Sequence, residues 1–222
     1  MATTGASLET PKRMTRRRAE TRRRVMAAAY EVFTETGIRD APVELICERA
    51  GFTRGAFYSN FASKEELFLA IYEVEMQERA DRLRAAVDKA VAAADLASPD
   101  TADRVMRSVG ALFMESVTAD ETWYLLNAEF RAQALRRPDL RAPTAAADLR
   151  FQDALAEILQ NMLGRLDLRL AVDARSAVVT VVALYTAMLE RSLLDDVPAE
   201  ADSRYLTDVL PRLLTALTTA GR

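Results

Sequence analysis

The sequence predicts an all-α protein, with a small N-terminal three-helix module and a larger C-terminal helical bundle. Three observations predict it. Glycine and proline are scarce, at seven each in 222 residues, while alanine, leucine and arginine dominate, which favours helix. Apolar residues recur at three- and four-residue intervals through most of the chain. No alternating β-branched run is long enough to argue for a sheet. The expected division is a disordered basic arm over 1–15, the three-helix module over 16–64, and the bundle over 65–222.

The first helix carries an apolar stripe of Val25, Ala28, Ala29, Val32 and Phe33. Gly37 ends it, and Ile38 folds back onto it. Val43, Ile46, Cys47 and Ala50 fall at i, i+3, i+4 and i+7, one face of a second helix, with Pro42 suited to its first position. Gly51 follows, where a positive φ turns the chain sharply. Thr53 then N-caps a short third helix by accepting from the Ala56 N–H, with Phe57 and Phe61 on its inner face. Arg54, Gly55, Ala56, Tyr58, Ser59 and Asn60 are left outside or near its exposed end. Ser63 and Glu66 form a capping box that opens helix four. Helix, glycine turn, helix is the arrangement by which a protein sets one helix in the DNA major groove.

Helix four is expected from Lys64 to about Leu96, with Leu67, Phe68 and Ile71 in the small module and Leu83 and Val87 in the bundle. Further helices are expected from about Thr101, carrying Met106, from Asp120 or Glu121 to near Arg137, and from about Pro143 to Gly164. Asp173 to Leu194 is apolar on several sides and so requires burial on more than one. Arg204 to Ala220 contains Pro211, which predicts a kink.

Charge sharpens the reading. The formal total is −3, yet residues 1–24 carry eight basic side chains against Glu9 and Glu20, so the remainder is about −9. An acidic body needs a local positive patch to approach DNA, and the arm supplies it beside the module. Histidine is absent and there is one cysteine. Histidine chemistry and an intramolecular disulfide are therefore excluded, and no metal cluster or cofactor is expected. No apolar stretch is expected to span a membrane, and no apolar segment follows the basic start as a signal peptide requires, so a cytoplasmic location is expected.

The runs AAAYEVFTETG and ELICERAGFTRGAFYSNFASKEELFLAIYE, within residues 20–75, closely resemble the DNA-binding domain of the TetR family of transcriptional regulators. The most specific part is AGFTRGAFYSNFASKEEL. The chain departs from the family pattern at Ala41 and Pro42, where the family commonly has a hydroxyl that caps helix two and touches a phosphate, and at Cys47, where it usually has alanine. The resemblance implies a ligand-responsive regulator, a repressor by default, that binds a pseudo-palindromic operator as a homodimer. It implies DNA contacts from Tyr58 and Lys64, and Thr53 is expected to contact a phosphate as well as cap its helix.

Residue chemistry adds to these. Arg54 suits the guanine edge, Ala56 a thymine methyl, Gly55 close approach, and Ser59 and Asn60 a phosphate or base edge. Arg16, Arg17 and Arg18 suit phosphate or the minor groove. The resemblance also implies an effector pocket in the bundle, for which Phe113, Met114, Val117, Trp123, Asn127, Phe130, Phe151, Met162, Tyr185 and Met188 are candidates. For each of these, ordinary core packing is the alternative. Such a lining suits an apolar or aromatic small molecule. The dimer is expected through the last two helices, about 173–194 and 204–220, as a four-helix bundle. A helical enzyme has no motif to support it. A helical interaction protein whose basic arm binds membrane or RNA remains open on sequence.

Overall fold

The computed structural model describes residues 16–94, 101, 104–108, 121–195 and 209–220. The expected disorder of residues 1–15 lies outside them. The chain divides into two compact units, the first ending at Ile71 and the second beginning at Tyr72.

The first unit holds α1 (Arg16–Asp40), α2 (Val43–Ala50), α3 (Arg54–Tyr58) and the start of α4 (Lys64–Ala92). Gly37 breaks the helical backbone of α1 with φ 77°, and Ile38 beyond it is fully buried. Pro42 stands one place earlier than expected: it is the N-cap of α2, extended and with no side-chain bond, and Val43 opens the helix. Gly51 takes the left-handed conformation, with φ 72° and ψ 36°. Its N–H donates to the Glu48 carbonyl at 3.1 Å, and the Phe52 N–H to that of Cys47 at 2.9 Å, a Schellman closure. The predicted caps form. Thr53 Oγ1 accepts from the Ala56 N–H at 3.2 Å, and Ser63 Oγ from the Glu66 N–H at 3.2 Å. Glu66 reaches one residue further back than a standard capping box, to the Ala62 N–H. Phe33, Phe57, Phe61, Leu67 and Phe68 form the centre of this core, all essentially inaccessible.

The second unit takes the rest of α4, then α5 (Glu121–Arg136), α6 (Pro138–Arg165), α7 (Ala174–Leu194) and α8 (Leu210–Ala216), here numbered in order of description. Residues 104–108 are also helical. Helix α4 ends at Ala92, short of the expected Leu96. Helix α6 begins at Pro138, five residues before the expected Pro143, which lies inside it. The reason is that Pro138 occupies the first turn, where its missing N–H costs nothing. Asp173 N-caps α7 through the Ser176 N–H at 2.9 Å.

Two details were not foreseen. A two-stranded antiparallel pair, β1 (Leu168–Leu170) with β2 (Thr218–Ala220), closes the end of the chain, so α8 stops at Ala216. Pro211 is the second residue of α8, and the expected helix start at Arg204 lies outside the described residues. Helix α7 is also long and apolar enough to cross a membrane by length and composition, contrary to expectation. One face of it, Ala174, Ala177, Val178, Val181 and Tyr185, is buried in the unit's core.

Candidate nucleic-acid interface

Helix α3 is only five residues long and cannot hold itself together. Both its ends are tied to the module. Thr53 closes the first turn, and Phe57 and Phe61 anchor the inner face, their rings 6.1 Å apart. At its far end two α1 arginines take up loose carbonyls. Arg18 Nη2 donates to the Ser59 carbonyl at 3.0 Å and Arg22 Nη1 to that of Asn60 at 2.6 Å. Arg22 also lies over the Phe61 ring, 4.1 Å from its centroid. Arg24 does the same for α2, donating to the Ala50 carbonyl at 2.9 Å and covering Phe52. A Cβ at Gly51 would meet that guanidinium at 3.1 Å.

The basic run therefore has two populations. Arg16 and Arg17 are exposed. Arg23 is exposed too, paired with Glu20 at 2.7 Å. Arg18, Arg22 and Arg24 are folded onto the module. Sequence reasoning grouped Arg18 with Arg16 and Arg17 as a DNA contact, whereas its guanidinium is engaged by Ser59 and Asn60. A spacing of about one turn, in a helix preceding the motif, was the signal available.

Thr53, Arg54, Gly55, Tyr58 and Ser59 are exposed together, and Ala56 is half-buried. Asn60 departs from its expected outward position. It is buried, its amide donating to the Ala56 carbonyl at 2.8 Å while its Oδ1 accepts from Arg18. Ser59 Oγ donates to the same carbonyl at 2.8 Å. Lys64 Nζ is bonded to the Arg39 and Ala41 carbonyls at 2.5 and 2.9 Å, tying the α1–α2 junction to the start of α4. Arg54 Nη1 is paired with the Glu44 carboxylate, and its guanidinium lies 5.8 Å from the Tyr58 ring centroid. The Tyr58 hydroxyl and then the Glu44 charge hold Arg54 above the usual arginine value. Glu44 is a member of this surface that sequence reasoning missed. Cys47 is buried beneath, and burial pushes its thiol up, which fits a packing residue.

The effector candidates separate in the second unit. Trp123, Phe130, Met162 and Tyr185 are buried, Asn127, Phe151 and Met188 half-buried, and Phe113, Met114 and Val117 lie outside the described residues. Phe151 and Met162 pack in the general apolar core with Leu83, Val87 and Leu155. Trp123 belongs elsewhere: it stacks on Tyr72 at 6.2 Å, and Arg79, itself only 6% exposed, lies 5.3 Å from its ring. Tyr72 donates to Asp148 Oδ1 at 2.8 Å, and Arg131 is paired with the same carboxylate. The buried oxygens Asn127 Oδ1 and Thr144 Oγ1 have no hydrogen-bond partner. A polar group breaking the Tyr72, Met76, Leu83, Val87 stripe at Arg79 was the sequence signal for this cluster. A cleft of about 50 Å³ between α4 and α6, with Phe151 on its wall, holds a few waters at most. Among the described residues no group of three His, Cys, Asp or Glu side chains could hold a metal.

The family model for bacterial regulatory proteins, tetR family, matches residues 25–71, the span that carries α1 to the start of α4. Residues 25–71 are a TetR-family DNA-binding domain. Over 186 residues it is 28% identical to the HTH-type transcriptional activator FasR of Mycolicibacterium smegmatis, covering 84% of this chain and 78% of that one. Over 52 residues it is 46% identical to the HTH-type transcriptional regulator SrpR of Pseudomonas putida, but spans only 24% of that relative's length. The fold is shared with a TetR-family transcriptional regulator from Mesorhizobium loti, at TM-score 0.68 and 19% identity over 91% of this chain and 98% of that one. It is shared also with the fatty acid degradation regulator FadR of Bacillus halodurans, at TM-score 0.61 and 18% identity over 93% and 96%. The chain is thus a DNA-binding transcriptional regulator whose relatives are named as regulators.

Proposed function

We propose that this TetR-family regulator binds a pseudo-palindromic operator as a homodimer and responds to a small molecule held by its second unit. The observation that carries the DNA half is the outward set Thr53, Arg54, Gly55, Tyr58 and Ser59 on a helix fixed at both ends. Nothing in the fold demands glycine at 55, where a Cβ would come no closer than 3.7 Å to Thr53 Oγ1. Its size is therefore available for close approach of DNA. Arg16 and Arg17 supply phosphate contacts, Arg54 a base contact, and the exposed Tyr58 ring a contact to backbone or base. Ala56, Ser59 and Lys64 complete the surface. Lys64 reaches a phosphate only by sharing its ammonium with two carbonyls, and Asn60 supports the surface from beneath. The site of action is the cytoplasm, where the DNA is.

Dimerisation through α7 and the last helix is supported by the unburied side of α7. Val179 and Leu194 are 41% and 79% exposed there. Apolar side chains on a helix already half-buried call for a second partner. A partner helix is favoured over a membrane because Arg175, Glu190 and Arg191 also lie on exposed positions.

The effector half rests on the Tyr72–Trp123 stack with Arg79 against it, and on the buried oxygen of Asn127, one helical turn from Trp123 on α5, which has no hydrogen-bond partner. Stacked rings and an unpaired buried oxygen suit a ligand with both an aromatic or apolar body and a polar group. A FadR of known structure was crystallised with stearoyl-CoA and the multidrug binding protein EbrR with imidazole, so bodies of either kind suit the fold. Ligand binding to the second unit shifts the population of α4, which both units share, and so changes DNA affinity.

Repression is the expected sign. The relative that spans most of the chain is named an activator, which favours activation as the second reading. Selection of bound sequences from a random duplex library, at moderate salt, is the deciding experiment. An enriched inverted repeat is expected; a folded, dimeric protein that enriches nothing would end the operator reading. A reporter carrying the selected site then gives the sign.

A further inference from the structure

Helix α3, with the sequence RGAFY, carries one charged side chain, Arg54, and it is already neutralised. Its partner Glu44 stands in the first turn of α2, and both side chains are about 60% exposed on the surface assigned to DNA. A carboxylate there is costly. It repels phosphates, and it must be displaced or satisfied when the groove closes over it. One ordinary reason for an acidic residue in a first helical turn is its attraction to the positive end of the helix dipole. That reason accounts for the acid but not for its pairing with the recognition helix's one cation.

We propose that Glu44 is a specificity-determining residue that acts with Arg54, so that the two read neighbouring guanine and cytosine edges as a unit. The inference rests on the DNA-binding reading above. The pair uses Nη1 of the fork, whereas guanine recognition takes two parallel N–H groups. Arg54 keeps a hydrogen-bonded anion on one nitrogen while it turns toward the O6 and N7 of guanine. Glu44, carried in the same plane of approach, accepts from the N4 amino group of a cytosine. That donor is the base-edge group in the major groove that suits a carboxylate best. Guanine and thymine offer the carboxylate only acceptors or a methyl group, and at adenine the N7 acceptor beside the N6 amino group repels it, so wrong sequences are penalised more than the right one is rewarded.

This assigns opposite signs to two properties. Glu44→Gln removes a negative charge from the interface and turns a pure acceptor into a donor–acceptor amide. Affinity for an arbitrary duplex should rise several-fold, while discrimination at the operator falls. The amide suits the N6 and N7 of adenine, so the position read as cytosine should change toward adenine.

The test is the same random-duplex selection run on full-length wild type, Glu44→Gln and Arg54→Ala, with titrations on one unselected duplex and a melting curve for each protein. The expected result is a wild-type motif with one G and one C per half-site. Arg54→Ala should lose the G, and Glu44→Gln should lose the C while binding the unselected duplex more tightly. An unchanged motif for a folded Glu44→Gln protein overturns the inference, as does a uniform loss of affinity on all sequences. If wild type itself enriches nothing, the DNA-binding reading fails first, and that outcome is distinct from a wild-type motif that Glu44→Gln leaves intact.

Discussion

The two units of this chain are stabilised by different means. In the first, single polar contacts carry the geometry. Gly51 turns α2, Thr53 caps α3, and Arg18, Arg22 and Arg24 take up carbonyls at the ends of the short helices. In the second, long helices pack over a broad apolar core that runs from Ala80 and Leu83 through Leu155 and Met162 to Val178 and Val181. A five-residue recognition helix needs a frame that fixes its position, because a reading surface works only if its side chains return to the same place. A regulatory bundle needs elements able to shift, and helices in generic apolar contact shift at lower cost than capped turns. The difference between the units therefore matches the tasks proposed for them.

The hardest way to test that contrast is to remove a core ring from the first unit. Phe57 is fully buried on the inner face of α3, against Phe61 and beside Tyr58. Phe57→Ala should cost about 3–5 kcal/mol, comparable to the whole stability of so small a module. Cys47 is a built-in probe, being the one cysteine, buried and with its thiol held up by burial. Thiol labelling should be slow in wild type and fast in the variant at a temperature where the second unit keeps its helical circular dichroism. Loss of both signals together would show that the two units do not melt separately.

A comparable effect in the second unit is reached by pH. Burial pushes the Tyr185 hydroxyl up to about 12, with Arg79 opposing in part. In the unfolded chain a tyrosine ionises near 10. Below that value both states hold the proton and stability is full. Between 10 and 12 the unfolded state releases it and the folded state does not, so stability falls as pH rises through that window. The loss is on the order of 2 kcal/mol for a shift of this size. Denaturant titrations of wild type and Tyr185→Phe across pH 9–12 should converge on the difference: the variant lacks this part of the decline. Parallel curves would mean that Tyr185 ionises as easily folded as unfolded.

The arginine run sharpens the contrast within one helix. Arg22→Ala removes a 2.6 Å bond to the Asn60 carbonyl and the cover over Phe61, and should destabilise the module by about 1–2 kcal/mol. Arg17→Ala, at an exposed position, should leave the melting midpoint unchanged and lower the salt slope of DNA binding by about 1. The reverse pattern would show that the structural and DNA-contacting arginines have been exchanged.

These positions also show what the sequence could reveal. Gly37, Gly51, Thr53, Ser63 and Glu66 were legible because each acts on neighbours within a few residues, so turn chemistry alone places them. The apolar stripes were legible because burial follows helical period. Asn60, Lys64 and Arg18 were not, because Asn60 and Arg18 meet across 42 residues and Lys64 reaches back 23 to 25, and an outward residue and a pinned one look alike in a string of letters. Glu44 was missed for the same reason, its partner being ten residues on across a turn. The start of α6 was a local signal, Pro138 in a first turn, that was passed over in favour of Pro143. The β1–β2 pair joins Leu168 to Ala220 across the sequence, and no local pattern announces that.

The smallest expected effect comes from the place where the chain departs from its family. Helix α3 begins with a hydroxyl cap and α2 with Pro42, which offers none. Pro42→Ser would give α2 a cap worth about 1 kcal/mol. It would also free the unfolded chain, which costs about 0.4–1 kcal/mol. The two terms oppose each other at nearly equal size, so the melting midpoint should hardly move. DNA affinity has no such compensation. A serine hydroxyl beside the first N–H groups of α2 adds a phosphate contact at a helix N-terminus, so binding should tighten several-fold at low salt, without change in the selected sequence. If Pro42→Ser altered the motif instead, position 42 would have to lie over bases together with Glu44, and the phosphate role given to the start of α2 would fall.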